Sequence, residues 1–464
     1  MRKYTFLVLA LLMSAMCHAE QRMTIHGAVD NAEISVFRMK TIEFHDGSAR
    51  FNGGPDTIIP VEQIDSLTFG DPVDAAYVQL IYLGDSVRVV NPYAENGLDI
   101  SVNGADVTVA SSLEDKNVTF YMKGYAEDGS FVITPSKKFN MLLDGLLLVN
   151  PDGPAVKILE DKEARITLAD GSVNMIKGMG DGVDANAAVW SKTQIVFTRQ
   201  LDADDNVLAN GNNGSGSLVV YSTGGHGIYS SDYVRINDGT IRLADVAGDG
   251  INSKDYFEMN GGSLFMDSVR GDGIDCNDHI FINGGSLVIN SEADDVKALK
   301  CDSMINILGG VLSITMTGDA AKAIKNDSAD VRIENAKVDI LVSGGKFVND
   351  SEASYCGGIK TENYVRIKKS NIYIECTENA MGAKGINAAA GIVIEESSTV
   401  TIEANGVRDD DAASGGKVAC LKTNGEVNVS DDSTVKVSCA NEEAKGVSAV
   451  SAASVNGNIL GYDE

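Results

Sequence analysis

The sequence predicts an all-β fold in which a parallel β-helix, a solenoid of strands, follows a small N-terminal β leader. The first observation behind this prediction is an internal repeat, because residues 226–248, 249–271 and 272–294 follow one another with a period of 23 residues and no gap. The second is that apolar and polar residues alternate within each repeat, which is the pattern of strands. Repeats of this length built from strands are typical of a solenoid in which each repeat forms one coil.

Each coil is predicted to contain three strands. Ile228, Ile251 and Ile274 mark the first strand, since they occupy the same position in successive repeats. The second and third strands each carry two apolar residues on either side of a polar one, at 234–236 and 241–243 in the first repeat. Because alternate side chains of a strand point to opposite faces, these apolar residues are expected to stack inside the solenoid.

Two further columns lie between the second and third strands. The glycine column predicts a turn whose backbone takes a positive φ, which glycine adopts without strain. The asparagine side chains are expected to hydrogen-bond to one another from coil to coil. The two columns consist of Gly239, Gly262 and Gly285, and of Asn237, Asn260 and Asn283.

The repeats resemble a known bacterial family. The second and third repeats begin with DGI and continue with a strand, a GG pair and another strand, and upstream phrases such as NGADVTV (103–109) and LADGSVN (168–174) look like the segment that precedes such repeats. Together, the repeats and the upstream segment resemble the carbohydrate-binding β-helix domain of cell-surface proteins that bind cellulose or pectin-like polysaccharides. The resemblance implies a right-handed parallel β-helix similar in architecture to pectate lyases, without an assigned reaction, together with polysaccharide binding and bound calcium.

The N-terminal part of the chain predicts export and a separate leader. Basic Arg2 and Lys3, an apolar run over residues 6–16 and a small residue at Ala19 form a secretory signal peptide, 1–19. No second apolar run is long enough to cross a bilayer, so no membrane insertion is expected. Lipid anchoring through Cys17 stays an alternative. Residues 20–76 read as short alternating strands, a leader that caps the β-helix of residues 77–464.

The charge of the chain restricts its partners. The formal net charge is −28 at pH 7. Nucleic acids and anionic membranes are therefore not expected as partners, because both repel an acidic surface. A surface of this kind suits solubility or divalent cations.

Aspartates at the start of successive coils are the candidate calcium ligands. Carboxylates stacked at the spacing of neighbouring coils repel one another unless a cation compensates them, and calcium takes six to eight oxygen ligands. The alternative is that lysines such as Lys254 and Lys297, with solvent, supply the compensation. Asp181 and Asp184 are a weaker second candidate site. The candidate ligands are Asp249, Asp272, Asp275, Asp294 and Asp295.

Outward aromatic residues are the candidate carbohydrate contacts. Tyr233, Tyr256 and His279 occupy one position on successive coils, with Phe281 nearby and Tyr364 later in the same column. Flat side chains in a row can stack on sugar rings, but they can equally shield the sheet beneath them. A lone tryptophan in the whole chain does not provide the broad platform of a binder of crystalline cellulose.

A column of lysines begins where the aspartates end. Lys300, Lys325, Lys360 and Lys422 follow Asp275 at its outward position. These lysines could bind the carboxylates of an acidic polymer or form only a charged face. One of them could instead act as the base of a uronate lyase.

Cysteines and two insertions complete the pattern. Cys276 and Cys301 fall in one column of adjacent coils, where either a disulfide or the stacking of small residues is compatible with the spacing. Insertions near 343–357 and 404–417 lengthen two coils, and long loops on a solenoid often form its binding rim. The sequence as a whole favours a secreted, non-catalytic, calcium-stabilised polysaccharide-binding protein. The alternatives are a calcium-dependent uronate lyase and a structural cell-surface solenoid.

Overall fold

The structure is a computed structural model, and it describes residues 22–27, 32–35, 41–45, 48–52, 57–60, 64–70, 77–179, 186–201, 206–208, 211–349, 352–411, 416–440, 444–449 and 455–461. The predicted signal peptide and the second calcium candidate, Asp181 and Asp184, lie outside these residues. The chain divides into two compact units, Met1–Tyr77 and Val78–Glu464. Within the described residues, no helix is long and apolar enough to cross a membrane.

The first unit contains two antiparallel sheets of three strands. Short runs of alternating residues separated by glycine, proline and aspartate favour such hairpins, as the sequence predicts. The strands of the first sheet, in spatial order, are Ala32–Ser35, Arg22–Gly27 and Ile64–Gly70, and those of the second are Thr41–His45, Ser48–Asn52 and Thr57–Pro60.

The second unit is a parallel β-helix whose strands form three ladders, named here sheets 1, 2 and 3. Sheet 1 begins with an antiparallel pair and is parallel from there on. Its strands are Leu98–Asn103, Ala105–Ser111, Gly129–Thr134, Val156–Ile158, Ala187–Ser191, His226–Ser230, Ile251–Ser253, Ile274–Cys276, Lys297–Cys301, Lys322–Asn326, Gly357–Thr361, Lys384–Ala388, Ala419–Thr423 and Lys445–Ser448.

Sheets 2 and 3 share three long strands at the N-terminal end of the unit, Val78–Leu83, Thr119–Ala126 and Phe139–Val149, beside which Val87–Val90 pairs in antiparallel fashion. A short 3-10 helix, Ala94–Asn96, follows. Sheet 2 then contains Ala164–Leu168, Ile195–Phe197, Val234–Ile236, Phe257–Met259, Ile280–Ile282, Ile305–Ile307, Val331–Glu334, Tyr364–Lys368, Gly391–Glu395, Glu426–Val429 and Val455–Asn456. Sheet 3 contains Val173–Gly178, Ser217–Ser222, Thr240–Val246, Ser263–Met266, Ser286–Ser291, Val311–Met316, Lys337–Val342, Asn371–Cys376, Thr399–Ala404, Thr434–Ser438 and Ile459–Leu460.

The register confirms the predicted stacking. Ile228 pairs with Ile251, and Ile251 pairs with Ile274, so the three side chains stand on consecutive coils and are fully buried. Beyond the regular repeats the same column continues through leucine, isoleucine and valine to Val447. This column is therefore a continuous aliphatic stack within the core, and the prediction of an all-β parallel β-helix with an antiparallel leader is confirmed.

The turn columns behave as predicted. Gly239, Gly262 and Gly285 have φ values of 97°, 70° and 86°. A Cβ at Gly262 would lie 2.6 Å from the carbonyl oxygen of Gly239, so the close coil spacing also requires glycine. The adjacent amides form the expected ladder, because Asn260 Nδ2 donates to Asn237 Oδ1 at 2.9 Å and Asn283 Nδ2 donates to Asn260 Oδ1 at 2.8 Å.

Cys276 and Cys301 are register partners in a column of small buried residues, and both are free thiols. The Cys276 thiol donates to the carbonyl of His279, and the Cys301 thiol donates to the carbonyl of Met304, each at 3.3 Å. Ser253 makes the same contact one coil earlier, to Tyr256 O at 2.8 Å. Side chains of this column thus donate hydrogen bonds to carbonyl groups of the turn between sheets 1 and 2. This role agrees with the small-residue interpretation of the two cysteines.

Candidate functional site

The outward face of sheet 1 carries two parallel columns of side chains. Column A, defined by the register of sheet 1, is Trp190, Tyr229, Asn252, Asp275, Lys300, Lys325, Lys360, Asn387, Lys422 and Ser448. Column B lies three residues earlier in each coil and is Ala187, His226, Asp249, Asp272, Lys297, Lys322, Gly357, Lys384, Ala419 and Lys445. In one and the same coil, Lys300 follows Asp275 in column A and Lys297 follows Asp272 in column B, so both columns change there from acidic to basic residues.

The aspartates of column B accept hydrogen bonds from the next coil. Asp249 Oδ1 accepts the amide of Asp272, and Asp272 Oδ1 accepts the amide of Lys297, both at 2.8 Å. Asp249 Oδ2 also accepts from Asn252 Nδ2 at 2.8 Å and lies 3.2 Å from His226 Nδ1. Burial raises the pKa of Asp249, but its contacts with His226, Asn252 and the Asp272 amide outweigh this effect, so the pKa lies below its usual value.

Lys300 supplies the positive charge beside the remaining carboxylates. Its Nζ lies 3.0 Å from Asp272 Oδ2 and 3.3 Å from Asp275 Oδ1. Burial lowers the pKa of Lys300, but the two carboxylates more than reverse this effect and raise it above its usual value. Burial raises the pKa of Asp275, with Asp249 adding to the increase and Lys300 opposing it.

The other two candidate calcium ligands, Asp294 and Asp295, have different partners. Asp294 Oδ1 accepts the amide of Asp319 at 2.8 Å, and Asp295 contacts Lys297 Nζ. Among the residues that the structure describes, no group of three or more histidine, cysteine, aspartate or glutamate side chains is arranged to hold a metal ion. Lys300 supplies the positive charge beside Asp272 and Asp275, and calcium binding at the five aspartates stays a prediction.

The predicted aromatic column forms a stack on sheet 2. The ring centroids of Tyr233 and Tyr256 are 4.5 Å apart at an interplanar angle of 13°, and those of Tyr256 and His279 are 4.8 Å apart at 6°. Phe281 meets the His279 ring edge-on at 4.4 Å. Because coil spacing and ring-stacking distance coincide, both faces of Tyr256 are covered by its neighbours, and the stack offers ring edges to solvent.

Polar contacts fix this stack to its surroundings. Arg235 lies 4.8 Å from the Tyr233 ring centroid, donates to the Tyr256 hydroxyl at 3.0 Å and pairs with Glu258 at 2.5 Å. The Tyr233 hydroxyl donates to Glu163 Oε2 at 3.1 Å. The four predicted carbohydrate contacts are thus brought together, and their role in binding sugar stays a prediction.

A second ring pair stands on column A. Trp190 and Tyr229 stack with centroids 5.9 Å apart at 7°, with Lys157 Nζ 5.7 Å from the Trp190 ring and Lys254 Nζ 5.8 Å from the Tyr229 ring. The sequence did not single out this pair. The signal was present in the alignment of AAVWS (187–191) with HGIYS (226–230), which places the two rings at the same position.

The lysines of column A form a run on the outward face of sheet 1. Lys300, Lys325 and Lys360 are register partners on consecutive coils, and after Asn387 the column returns to Lys422. This confirms the predicted geometry of the lysine column. Lys325 pairs with Asp327 at 2.6 Å and Lys360 with Glu362 at 3.6 Å, and both acidic side chains are more than half exposed. Exposed pairs of this kind contribute about 0–1 kcal/mol and are easily exchanged.

Column B adds two buried lysines that the sequence did not reveal. Lys322 and Lys384 are only 7% and 8% exposed. Lys322 Nζ donates to Ala320 O and to Ser354 Oγ, both at 2.8 Å, and Lys384 Nζ donates to Gly382 O at 2.7 Å. Their alignment with Lys297 was not apparent from the sequence, because the coils lengthen irregularly after residue 295.

The two predicted insertions meet beside these lysines. The first forms an antiparallel hairpin, Lys346–Asn349 with Glu352–Tyr355. Asp409 of the second insertion is 5% exposed and accepts from Lys346 Nζ at 2.8 Å and from the Tyr355 hydroxyl at 3.0 Å. The hairpin is therefore held against the second insertion, with the Tyr355 ring centroid 5.1 Å from Lys384 Nζ.

A family model and a solved structure are similar to this chain. The model of the family described as "Carbohydrate-binding domain-containing protein" matches residues 103–356, which is more than half of the chain. Among solved structures, the polysaccharide lyase-like protein from C. thermocellum, determined as a gadolinium derivative, is similar at 20% identity and a TM-score of 0.37, covering 62% of this chain and 96% of that chain. A search of curated proteins found no match. The family match extends over both the lead-in strands and the regular repeats, so the chain belongs to the carbohydrate-binding domain-containing family.

Proposed function

We propose that this protein is an exported, non-catalytic binder of acidic polysaccharide and that the lysine columns of sheet 1 form its binding surface. The family description supports carbohydrate as the ligand. The observation that carries the choice of an acidic polymer is the concentration of lysines on one face of a chain whose net charge is −28. A polyanion is repelled by most of such a surface and attracted to this strip.

The spacing of the lysines suits an extended polymer. Neighbouring coils lie roughly 4.8 Å apart, so Lys325 and Lys360 on consecutive coils present evenly spaced charges. Each contact replaces an exposed ion pair and is weak by itself. A polymer that makes several such contacts at once binds much more tightly than any one of them, because later contacts form within the same complex.

A second candidate function is uronate lyase activity, and one observation favours it. Burial, followed by the repulsion of neighbouring lysines, lowers the pKa of Lys322 and of Lys384 to about 8. A lysine with such a pKa can act as a base near neutral pH. The binding function is preferred because both ammonium groups donate to carbonyl oxygens of their own turns, which anchors them as hydrogen-bond donors. Incubation with polygalacturonate separates the two functions, since a lyase produces ultraviolet-absorbing unsaturated ends and a binder does not.

Retention on immobilised polygalacturonate, compared with a neutral galactan, tests the proposal. The test variant combines Lys325→Met, Lys360→Met and Lys422→Met. The control combines Lys177→Met, Lys337→Met and Lys436→Met, which remove the same charge from exposed positions on sheet 3.

We expect the natural protein to be retained on polygalacturonate and not on the neutral galactan. The test variant should lose roughly 3-fold to 150-fold in affinity, since three exposed contacts of about 0.2–1 kcal/mol each are removed. The control variant should bind within about twofold of the natural protein, since its lysines lie off the binding face. Equal retention on the neutral polymer, or equal losses in both triple variants, would contradict the proposal.

A further inference from the structure

We propose that the cavity between the hairpin and sheet 1 is a pocket that binds one anionic sugar unit of the polymer through its carboxylate. This inference rests on the proposed function and names the place where it is most specific. The cavity has a volume of about 150 Å³ and is lined by residues that include Lys322, Ser354, Tyr355, Lys360, Lys384 and Asn387. We call it the hairpin pocket.

Charge is the first argument for an anionic occupant. The described residues that line the hairpin pocket include three lysines and no carboxylate. Two of these lysines, Lys322 and Lys384, are more than nine-tenths buried. Burying an ammonium group with other lysines nearby destabilises the folded protein, and the lowered pKa of both lysines reflects that cost. A bound carboxylate would offset the repulsion and would accept the hydrogen bonds of the lysines.

The shape and chemistry of the walls are the second argument. Lysines on sheet 1 form the floor, and the Tyr355 ring with Ser354 forms the opposite wall. Ligand pockets for drug-sized molecules measure roughly 300–1,000 Å³, so a cavity of this size admits a single small polar unit. An aromatic ring, a hydroxyl and an amide beside the cationic floor provide the donors, acceptors and flat surface that a sugar ring requires.

The connection to the lysine strip is the third argument. Lys360 belongs to column A and also lines the pocket, and its side chain is 32% exposed. A polymer lying along column A therefore passes the hairpin pocket. Asp409 fixes the position of the outer wall, because it holds both Lys346 and Tyr355 of the hairpin. The two insertions thus complete a site that sheet 1 alone would leave open.

Calorimetric titration of the full chain with trigalacturonate tests the pocket. Two comparison ligands are titrated as well. The neutral trisaccharide of galactose shares the sugar with trigalacturonate, and inorganic phosphate shares the negative charge. The pocket variants are Lys322→Met and Lys384→Met, and the matched control is Lys337→Met, which removes the same charge from an exposed position on sheet 3, outside the pocket lining and the lysine columns. Asp409→Asn is a further variant that keeps every pocket lysine and loosens only the hairpin.

We expect trigalacturonate to bind and the neutral trisaccharide not to bind. Both pocket variants should weaken trigalacturonate binding at least about tenfold, Asp409→Asn should weaken it severalfold, and Lys337→Met should change it less than about threefold. The melting temperature of each variant should also be measured. The lysine variants should melt at or above the temperature of the natural protein, which would show that their weaker binding is not caused by unfolding. Phosphate should displace trigalacturonate only at much higher concentration.

The outcomes separate the pocket from the proposed function. Unchanged trigalacturonate affinity in folded Lys322→Met and Lys384→Met, with polygalacturonate still retained through Lys325 and Lys422, would overturn the pocket and leave the proposed function standing. Phosphate binding as tight as trigalacturonate would show a general anion site and overturn the sugar assignment. Failure of the natural protein to retain any acidic polymer would overturn the proposed function itself.

Discussion

The regular coils of residues 226–294 and the irregular coils that follow them place opposite charges at the same positions. In the regular coils column B carries His226, Asp249 and Asp272, and these side chains accept amides of neighbouring coils or contact one another. In the later coils the column carries Lys322 and Lys384, which face a cavity. The difference teaches that charged side chains of the regular coils connect one coil to the next, whereas Lys322 and Lys384 of the later coils line a cavity.

Physical chemistry explains why the two regions differ in regularity. Identical asparagines or rings stabilise one another when they stack from coil to coil, so a strict repeat can be kept. Lysines at neighbouring positions repel, which gives no structural reason to maintain them. The neighbouring Lys325 and Lys360, whose acidic partners are exposed, therefore indicate a role outside the fold.

The largest expected effect is the loss of a column B aspartate. Asp272→Ala should lower the free energy of unfolding by roughly 2–4 kcal/mol, because it leaves the Lys297 amide without its acceptor and removes one of the two carboxylates beside Lys300. Urea denaturation measures the effect. Asp302→Ala, at an exposed position, is the control and should cost less than about 0.5 kcal/mol. Similar losses in both variants would show that column B aspartates are ordinary surface charges.

Removal of a buried lysine should have the opposite sign. Lys384→Met should stabilise the protein by on the order of 1–3 kcal/mol at pH 7, because burial and the nearby charges of Lys422, Lys322 and Lys360 lower its pKa to about 8. The folded pKa lies below that of the unfolded chain, so the natural protein gains stability as pH rises from 8 toward 10.5. The advantage of the variant should therefore shrink over that range. Denaturation at pH 7 and pH 10 checks both statements, and a variant that is less stable at pH 7 would contradict them.

The aromatic stack should contribute more to stability than to binding. Tyr256→Ala removes two ring contacts worth about 0.5–1.5 kcal/mol each and should lower the melting temperature. Tyr364→Ala, at the same column position but beside Gly391 in register, should lower it less. The affinity of a Tyr233→Ala, Tyr256→Ala double variant for polygalacturonate should change less than about threefold. A larger loss would make the stack the main carbohydrate contact that the sequence predicts.

Calcium should have the smallest effect. The five candidate carboxylates are engaged by amides and lysines, with Lys300 between Asp272 and Asp275. Addition of a chelator should therefore leave the melting temperature within about 1 °C, since a ligand that is not bound cannot stabilise the folded state. A clear fall on chelation, reversed by calcium, would restore the calcium-stabilised protein that the sequence predicts.

The fold could be predicted because it repeats. Ile228, Ile251 and Ile274 reveal the coil directly, and Asn237, Asn260 and Asn283 reveal the turn, since identical residues at a constant period must occupy equivalent places. The lysine column could be predicted for the same reason, as its members follow Asp275 at one register position.

The pocket could not be predicted from the sequence. Lys346 and Asp409 are 63 residues apart, and their contact depends on two insertions that follow no period. Lys322 and Lys384 belong to column B only once the ladder fixes a register that the lengthened coils obscure. The sequence shows the column of aspartates but not the amides of the next coil, which donate hydrogen bonds to Asp249 and Asp272.

Lysine footprinting tests the central claim that the later coils, and not the regular ones, bind the acidic polymer. The full chain would be methylated reductively with and without polygalacturonate, and modification would be measured at each lysine by mass spectrometry. We expect protection at Lys325, Lys360 and Lys422, and none at Lys254, an exposed lysine of the regular coils, or at Lys337 on sheet 3. Protection of Lys254 with full modification of Lys325, Lys360 and Lys422 in the bound state would contradict the account.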